Sequence, residues 1–229
     1  MVRMRKAVAV PLFMALLLGS GGCASGDEKE PASSERATCE ELLGKAGVKW
    51  LKNSTTGKLN VTNGDDLKSA KSLFYKQARA WDPKSEEIPN FANSRMCGVV
   101  KAAKETSRGV LSIYYGPSVV PFDFPFGEES DTSDPRTVTP VNANVKLVHE
   151  EGERGAATYY VYIKCRVPGA PKGQDNVVPI EGRMKDTLTG DTGTRVHLER
   201  LLYSAHAVAQ AFECKNKPTV PTELPAGVK

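Results

Sequence analysis

The segment "TRVHLERLLYSAHAVAQAFECKN", residues 194–216, carries Leu198, Leu201, Leu202, Ala205, Val208, Ala209 and Phe212 on one helical stripe. Arg195, Glu199, Arg200 and Gln210 fall outside that stripe. The pattern predicts an amphipathic helix from Thr194 to about Glu213, which must bury its apolar side against another layer. Working backward, "TYYVYIKCRV" (158–167) supplies one. Along a strand, Tyr159, Val161, Ile163, Cys165 and Val167 point one way and Tyr160, Tyr162, Lys164 and Arg166 the other. In "VNANVKLVH" (141–149), Val141, Ala143, Val145 and Leu147 alternate with Asn142, Asn144 and Lys146, which predicts a strand in a sheet with one wet face. The expected fold class is α+β: an antiparallel β-sheet with about three helices, the C-terminal helix packed on one sheet face.

The elements before these are shorter. Thr38 and Glu41 have the spacing of a capping box and predict a helix from there to about Lys52, weakened by Gly44 and Gly47. "LNVT" (59–62) is a strand candidate. In "GDDLKSAKSLFYKQARAWDP" (64–83), Leu67, Ala70, Phe74, Ala78 and Trp81 share a helical face, Asp65 and Asp66 sit near its start, and Pro83 ends it. "RMCGVVKAAKETSRGVLSIYYG" (95–116) reads as a hairpin turning around Lys104 to Gly109. The run "NVVPI" (176–180) is short and apolar, and Asp191 and Gly193 suit a turn before the last helix.

Residues 1–22 read as an export signal, with Arg3, Arg5 and Lys6 preceding an uncharged apolar run, Ala7 to Leu18, too short to span a bilayer. Ser20, Gly21 and Gly22 before Cys23 resemble the lipobox of bacterial lipoproteins, with Ser20 where that box usually has an aliphatic residue. The resemblance implies acylation of Cys23. A conventional secretory cut after Ser25 is the alternative. From Ala24 to Thr38 there is no Val, Ile, Leu, Met, Phe, Trp or Tyr, so residues 23–37 are expected to form a flexible tether. A single domain is expected over 38–217, followed by a proline-rich tail over 218–229. The three basic residues of the leader account for most of the formal charge of +4, leaving 28 basic residues against 27 acidic ones. That balance lacks the basic stripe of a nucleic-acid binder.

Four further cysteines, Cys39, Cys97, Cys165 and Cys214, form an even set in an exported chain, and none has zinc-type or redox-type C-x-x-C spacing. They admit three connectivities. The expected one joins Cys39 to Cys97 and Cys165 to Cys214, closing a loop in each half of the chain. The second bridge requires the last helix to end before Cys214, and Lys215, Lys217 and Pro218 supply such an ending. Together the lipobox, the tether, "CEELL", the hairpin at Cys97, "YVYIKC" before "VPG", and "AHAVAQAFECKN" resemble small actinobacterial cell-surface lipoproteins of unknown function. The resemblance implies an α+β fold, a cell-surface location and two disulfides, and it carries no functional residues.

No nucleophile elbow, H-E-x-x-H, S-x-x-K, phosphate loop or dinucleotide fingerprint is present, and no cofactor or metal set is nominated. His149, His197 and His206 read as surface histidines, the last two about 180° apart around one helix and unable to share a metal. Glu86, Glu87, Glu128, Glu129, Asp131 and Asp134 read as solvated loop charge. Two features suit binding. "PFDFPFG" (121–127) places Phe122, Phe124 and Phe126 on one side of an edge segment, closing a core or facing a partner. The outer strand face of Tyr160, Tyr162, Lys164 and Arg166 suits a glycan or acidic peptide, and cross-strand packing accounts for the same residues. The reading is therefore a membrane-anchored extracytoplasmic lipoprotein acting as a binding or interaction module. Its expected partners are the membrane, through the lipid anchor, and an envelope protein or glycan, with no nucleic acid. The alternatives are an extracytoplasmic hydrolase of unfamiliar type or a structural envelope protein.

Overall fold

A computed structural model of the chain describes residues 34–62, 64–102, 109–126, 136–152 and 157–226. The leader, Cys23, the first part of the tether, Glu128, Glu129, Asp131 and Asp134 lie outside them. The described elements are α1 (Ser34–Asn53), β1 (Leu59–Thr62), α2 (Leu67–Ala80), β2 (Ser94–Lys101), β3 (Val110–Pro117), β4 (Arg136–Asn142), β5 (Val145–Glu151), β6 (Ala157–Ile163), the single turn α3 (Gln174–Val177), β7 (Ile180–Asp186) and α4 (Thr194–Phe212). The strands form one antiparallel sheet in the order β1-β2-β3-β7-β6-β5-β4. The late strand β7 is thus inserted between two runs of consecutive strands, and both of its edges are paired.

The three long helices cover one face. α4 packs on β5, β6 and β7, α1 on β1 and β2, and α2 on β2 and β3, while α1 and α2 each pack against α4. The strand residues aimed at them are the apolar ones that alternation requires: Val99, Leu111, Ile113, Tyr115, Val145, Leu147, Tyr159, Val161, Ile163, Ile180 and Met184, all buried. They meet Leu198, Leu201, Leu202, Ala205, Val208 and Phe212 of α4 in a single core. Ala209, on the edge of the stripe, is only partly buried. The Tyr115 hydroxyl donates 2.9 Å to Ser204 Oγ, so the polar tip it brings into this core has a partner.

α2 starts where Asp66 accepts the Ser69 N–H, as an N-cap should. α1 differs from expectation at its start: it begins at Ser34 and takes in the last four residues of the predicted tether, so Thr38 is a buried residue inside the helix and not its cap. It kinks at Gly44 (φ 61°), where a Cβ would lie 2.6 Å from the Tyr203 ring. Only glycine permits both that dihedral and that approach. The helix α4 ends at Glu213 in the left-handed conformation, which frees Cys214 to turn back toward the sheet. The two disulfides join Cys39 to Cys97 and Cys165 to Cys214.

The expected single strand over 141–149 is two strands. Asn144 N–H bonds to Asn142 Oδ1 at 2.9 Å, and this side-chain turn reverses the chain between β4 and β5. Nor is the far face of β5 wet, since Lys146 and Val148 are buried. β6 stops at Ile163, short of the predicted Val167. Residues 164–166 leave the sheet to bond Lys215 and Asn216 beside the second disulfide. The described part of the tail is extended and anchored, with Val220 and Leu224 buried.

Candidate functional site

The face of the sheet opposite the helices brings the predicted binding residues together, and it divides into a covered part and a partly exposed part. Residues directly paired across strands share a face, so Arg136, Lys146, Val148, Tyr160, Tyr162, Glu181, Arg183, Tyr114 and Ser112 all project outward. The segment from Ser118 to Phe126 folds over the Tyr162 end. Phe126 packs at 5.4 Å from the Tyr162 ring and joins Val148 in a small second core. Lys146 Nζ donates 3.1 Å to the Phe124 carbonyl, lies 4.5 Å from the Phe126 ring centroid and also faces Phe122 and Tyr162. Lys164 Nζ lies 4.5 Å from the Phe122 ring. The Ser118 hydroxyl donates 3.0 Å to Glu181. Burial is the leading cause that lowers the Lys146 pKa and raises those of Glu181 and Tyr162.

The predicted binding residues therefore take different roles. Phe126 and Tyr162 are core, Phe122 and Lys164 are partly buried against one another, and Phe124 is 40% exposed. Tyr160 remains partly exposed on the open side. Arg166 does not join them, because β6 has ended. It pairs with Asp175 of α3 at 3.0 Å.

The open side is centred on β7, the fourth of the seven strands. Its outward residue Arg183 has Tyr114 of β3 and Tyr160 of β6 as direct neighbours, and Lys185 has Ser112 and Thr158. Lys185 is exposed, Tyr114, Thr158, Tyr160 and Arg183 are half-buried, and Ser112 is buried. The Arg183 guanidinium lies 5.2 Å from the Tyr114 ring centroid, within cation–π range. Its Nε is buried with no hydrogen-bond partner, and Arg183 forms no ion pair among the described residues. The Tyr160 hydroxyl donates 3.1 Å to Glu150, and its pKa is pushed up to about 12 by burial and then by that carboxylate. Sequence reasoning missed Tyr114, Arg183 and Lys185. The signal was present in "IEGRMKD", where Ile180, Gly182 and Met184 alternate with Glu181, Arg183 and Lys185.

A second cluster lies at the end of the sheet, in a pocket of about 350 Å³ that includes Glu151, Tyr159, Asp186, Asp191, Thr194 and His197. Here the surface assignment of His197 is overturned: the residue is 1% exposed. Its Nδ1 lies 2.8 Å from the Gly193 carbonyl and its Nε2 2.9 Å from Asp186 Oδ2, so both nitrogens face acceptors and the protonated ring satisfies both. Burial alone would lower its pKa, but the bonds to Asp186 and Gly193 raise it on balance. Burial would likewise raise the Asp186 pKa, but His197, Thr189 and the N–H groups of Thr189 and Leu188 hold it below the usual carboxylate value. The His197 ring stacks on Tyr159 at 4.6 Å and meets the edge of Trp50, whose Nε1 donates 2.9 Å to Asp191. Held between the Gly193 and Asp186 acceptors, His197 joins α4 to β7 as a strut. His206 is also engaged, holding the Val220 carbonyl of the tail at 2.6 Å. Among the described residues, no group of three or more His, Cys, Asp or Glu is placed to hold a metal.

The chain matches no protein-family model, no curated protein and no solved structure.

Proposed function

We propose that the chain is an extracytoplasmic lipoprotein, acylated at Cys23, that binds its ligand on the open sheet face around Arg183. The observation that carries this reading is Arg183 itself. A guanidinium set between two tyrosines, over the Tyr114 ring and with no ion pair among the described residues, offers an anion a charged hydrogen-bond donor on the open face. Export is supported by the charged and apolar leader and by the two disulfides, which persist in oxidising surroundings. The resemblance to actinobacterial cell-surface lipoproteins favours the same location. Among the described residues no helix is long and apolar enough to cross a membrane, and a lipid on Cys23 would supply attachment from outside them.

Two measurements test the proposal. Expressed in a host that processes lipoproteins, the chain should fractionate with membranes and lose residues 1–22, and Cys23→Ser should move it to the soluble fraction. Incubated with envelope extract, the full chain should show amide protection at 112–114, 158–160 and 183–185, and Arg183→Ala combined with Tyr160→Ala should abolish it. A soluble wild-type chain would overturn the anchor, and protection unaffected by the double variant would overturn the site.

A further inference from the structure

We infer that the open face binds a carboxylated saccharide, an inference that rests on the binding site proposed above and narrows its ligand class. The patch is a grid two residues long and three strands wide: Tyr114, Arg183 and Tyr160 in one row, Ser112, Lys185 and Thr158 in the next. Neighbouring strands are about 4.8 Å apart, so the two tyrosines stand about 10 Å apart with Arg183 between them, and Lys185 follows about 7 Å along β7. That footprint suits a sugar ring. The tyrosine faces offer apolar area to its C–H edges, the serine and threonine hydroxyls match its own hydroxyls, and two cations meet one acid group.

Charge and backbone chemistry both narrow the choice further. Of the carboxylates bordering the grid, Glu150 accepts the Tyr160 hydroxyl and Glu181 accepts that of Ser118; Arg183 attracts Glu181 through space without an ion pair among the described residues, and the exposed Lys185 forms none there either. A neutral sugar would cover the Lys185 amine without a counter-charge, and burying it unpaired is costly. An acidic peptide is the competing ligand, but extended peptides gain much of their affinity by adding to a sheet edge. β7 lies at the centre of the sheet and pairs with β3 from Ile180 to Asp186 and with β6 from Ile180 to Lys185, so no free edge is on offer beside Arg183. Only side chains face the ligand, which favours a partner recognised through ring faces, hydroxyls and an anion.

The test titrates the full chain, in detergent micelles, with oligosaccharides containing galacturonic, glucuronic or muramic acid, with their carboxyl-reduced counterparts, and with polyglutamate. At least one carboxylated saccharide should bind, and its reduced counterpart should bind about tenfold or more weakly. Arg183→Ala and Lys185→Ala should each weaken binding by about tenfold, and Arg183→Lys should restore part of the loss. Lys185 is exposed, so its variant keeps the test valid should Arg183→Ala perturb the fold. If polyglutamate binds through Arg183 and no saccharide does, the ligand class is wrong and the site stands. If binding occurs but ignores Arg183, Lys185 and Tyr160, or if neither saccharide nor polyglutamate binds, both the ligand class and the site fall.

Discussion

His197 lies between two acceptors inside the core, and its protonation links the residue to the stability of the fold. Its folded-state pKa lies above the usual 6.5, so the stabilisation it provides is complete below its unfolded pKa and is lost as pH rises through the raised value. Asp186 acts at the other end. Its folded pKa lies below 3.8, so its contribution is present above the unfolded value and disappears as pH falls through the depressed one. Melting temperature should therefore plateau between these limits and decline on the alkaline side, and His197→Gln should remove the alkaline decline. Asp186→Asn removes the counter-charge of the buried ring, which must then stay charged unpaired or give up its proton, and should cost about 3–5 kcal/mol, read from chemical denaturation at pH 6. Gly182 makes a steric demand of a different kind, because a Cβ there would overlap the Tyr115 ring and Val161. Gly182→Ala should destabilise by about 1–3 kcal/mol in the same assay.

Among the elements, the segment from Ser118 to Phe126 should open separately from the sheet it covers. It is held by the Lys146 amine on the Phe124 carbonyl, by Phe126 on Tyr162 and by Ser118 on Glu181. Lys146→Ala removes the amine and its contacts with three rings. Limited proteolysis should then cut within residues 122–126 faster than in the wild type, while the disulfide-bonded helix face stays intact. Equal cleavage rates would show that the aromatic packing suffices alone. The bridge from Cys165 to Cys214 ties the exit of β6 to the end of α4 and closes a loop over a separation of 49 residues. Replacing both cysteines by serine should cost about 4 kcal/mol in denaturant unfolding, and the unreduced native chain should show no reactive thiol at Cys39, Cys97, Cys165 or Cys214.

For the whole molecule, the strand order explains why the helix face was legible and the opposite face was not. The apolar stripe of α4, the alternation in β6, the helix over 67–80 and the even cysteine set are local or compositional patterns, and each follows from the period of its own backbone. They specified an α+β chain with a helix on a sheet. Which residues share the open face depended on β7 inserting between β3 and β6, a pairing between Arg183 and residues 69 positions earlier and 23 positions earlier in the chain. A strand's period says that its side chains alternate, but it does not say which strand lies beside it. Phe126 over Tyr162 and His197 against Asp186 are contacts of the same kind, made by loops and chain ends that have no period at all. The sequence by itself determined the apolar pattern of each element and the number of cysteines available for bridging, because covalent geometry enforces those repeats. Only the tertiary structure decided which outward tyrosines would flank an arginine and which would be buried under phenylalanine, because that outcome depends on the order in which distant strands hydrogen-bond.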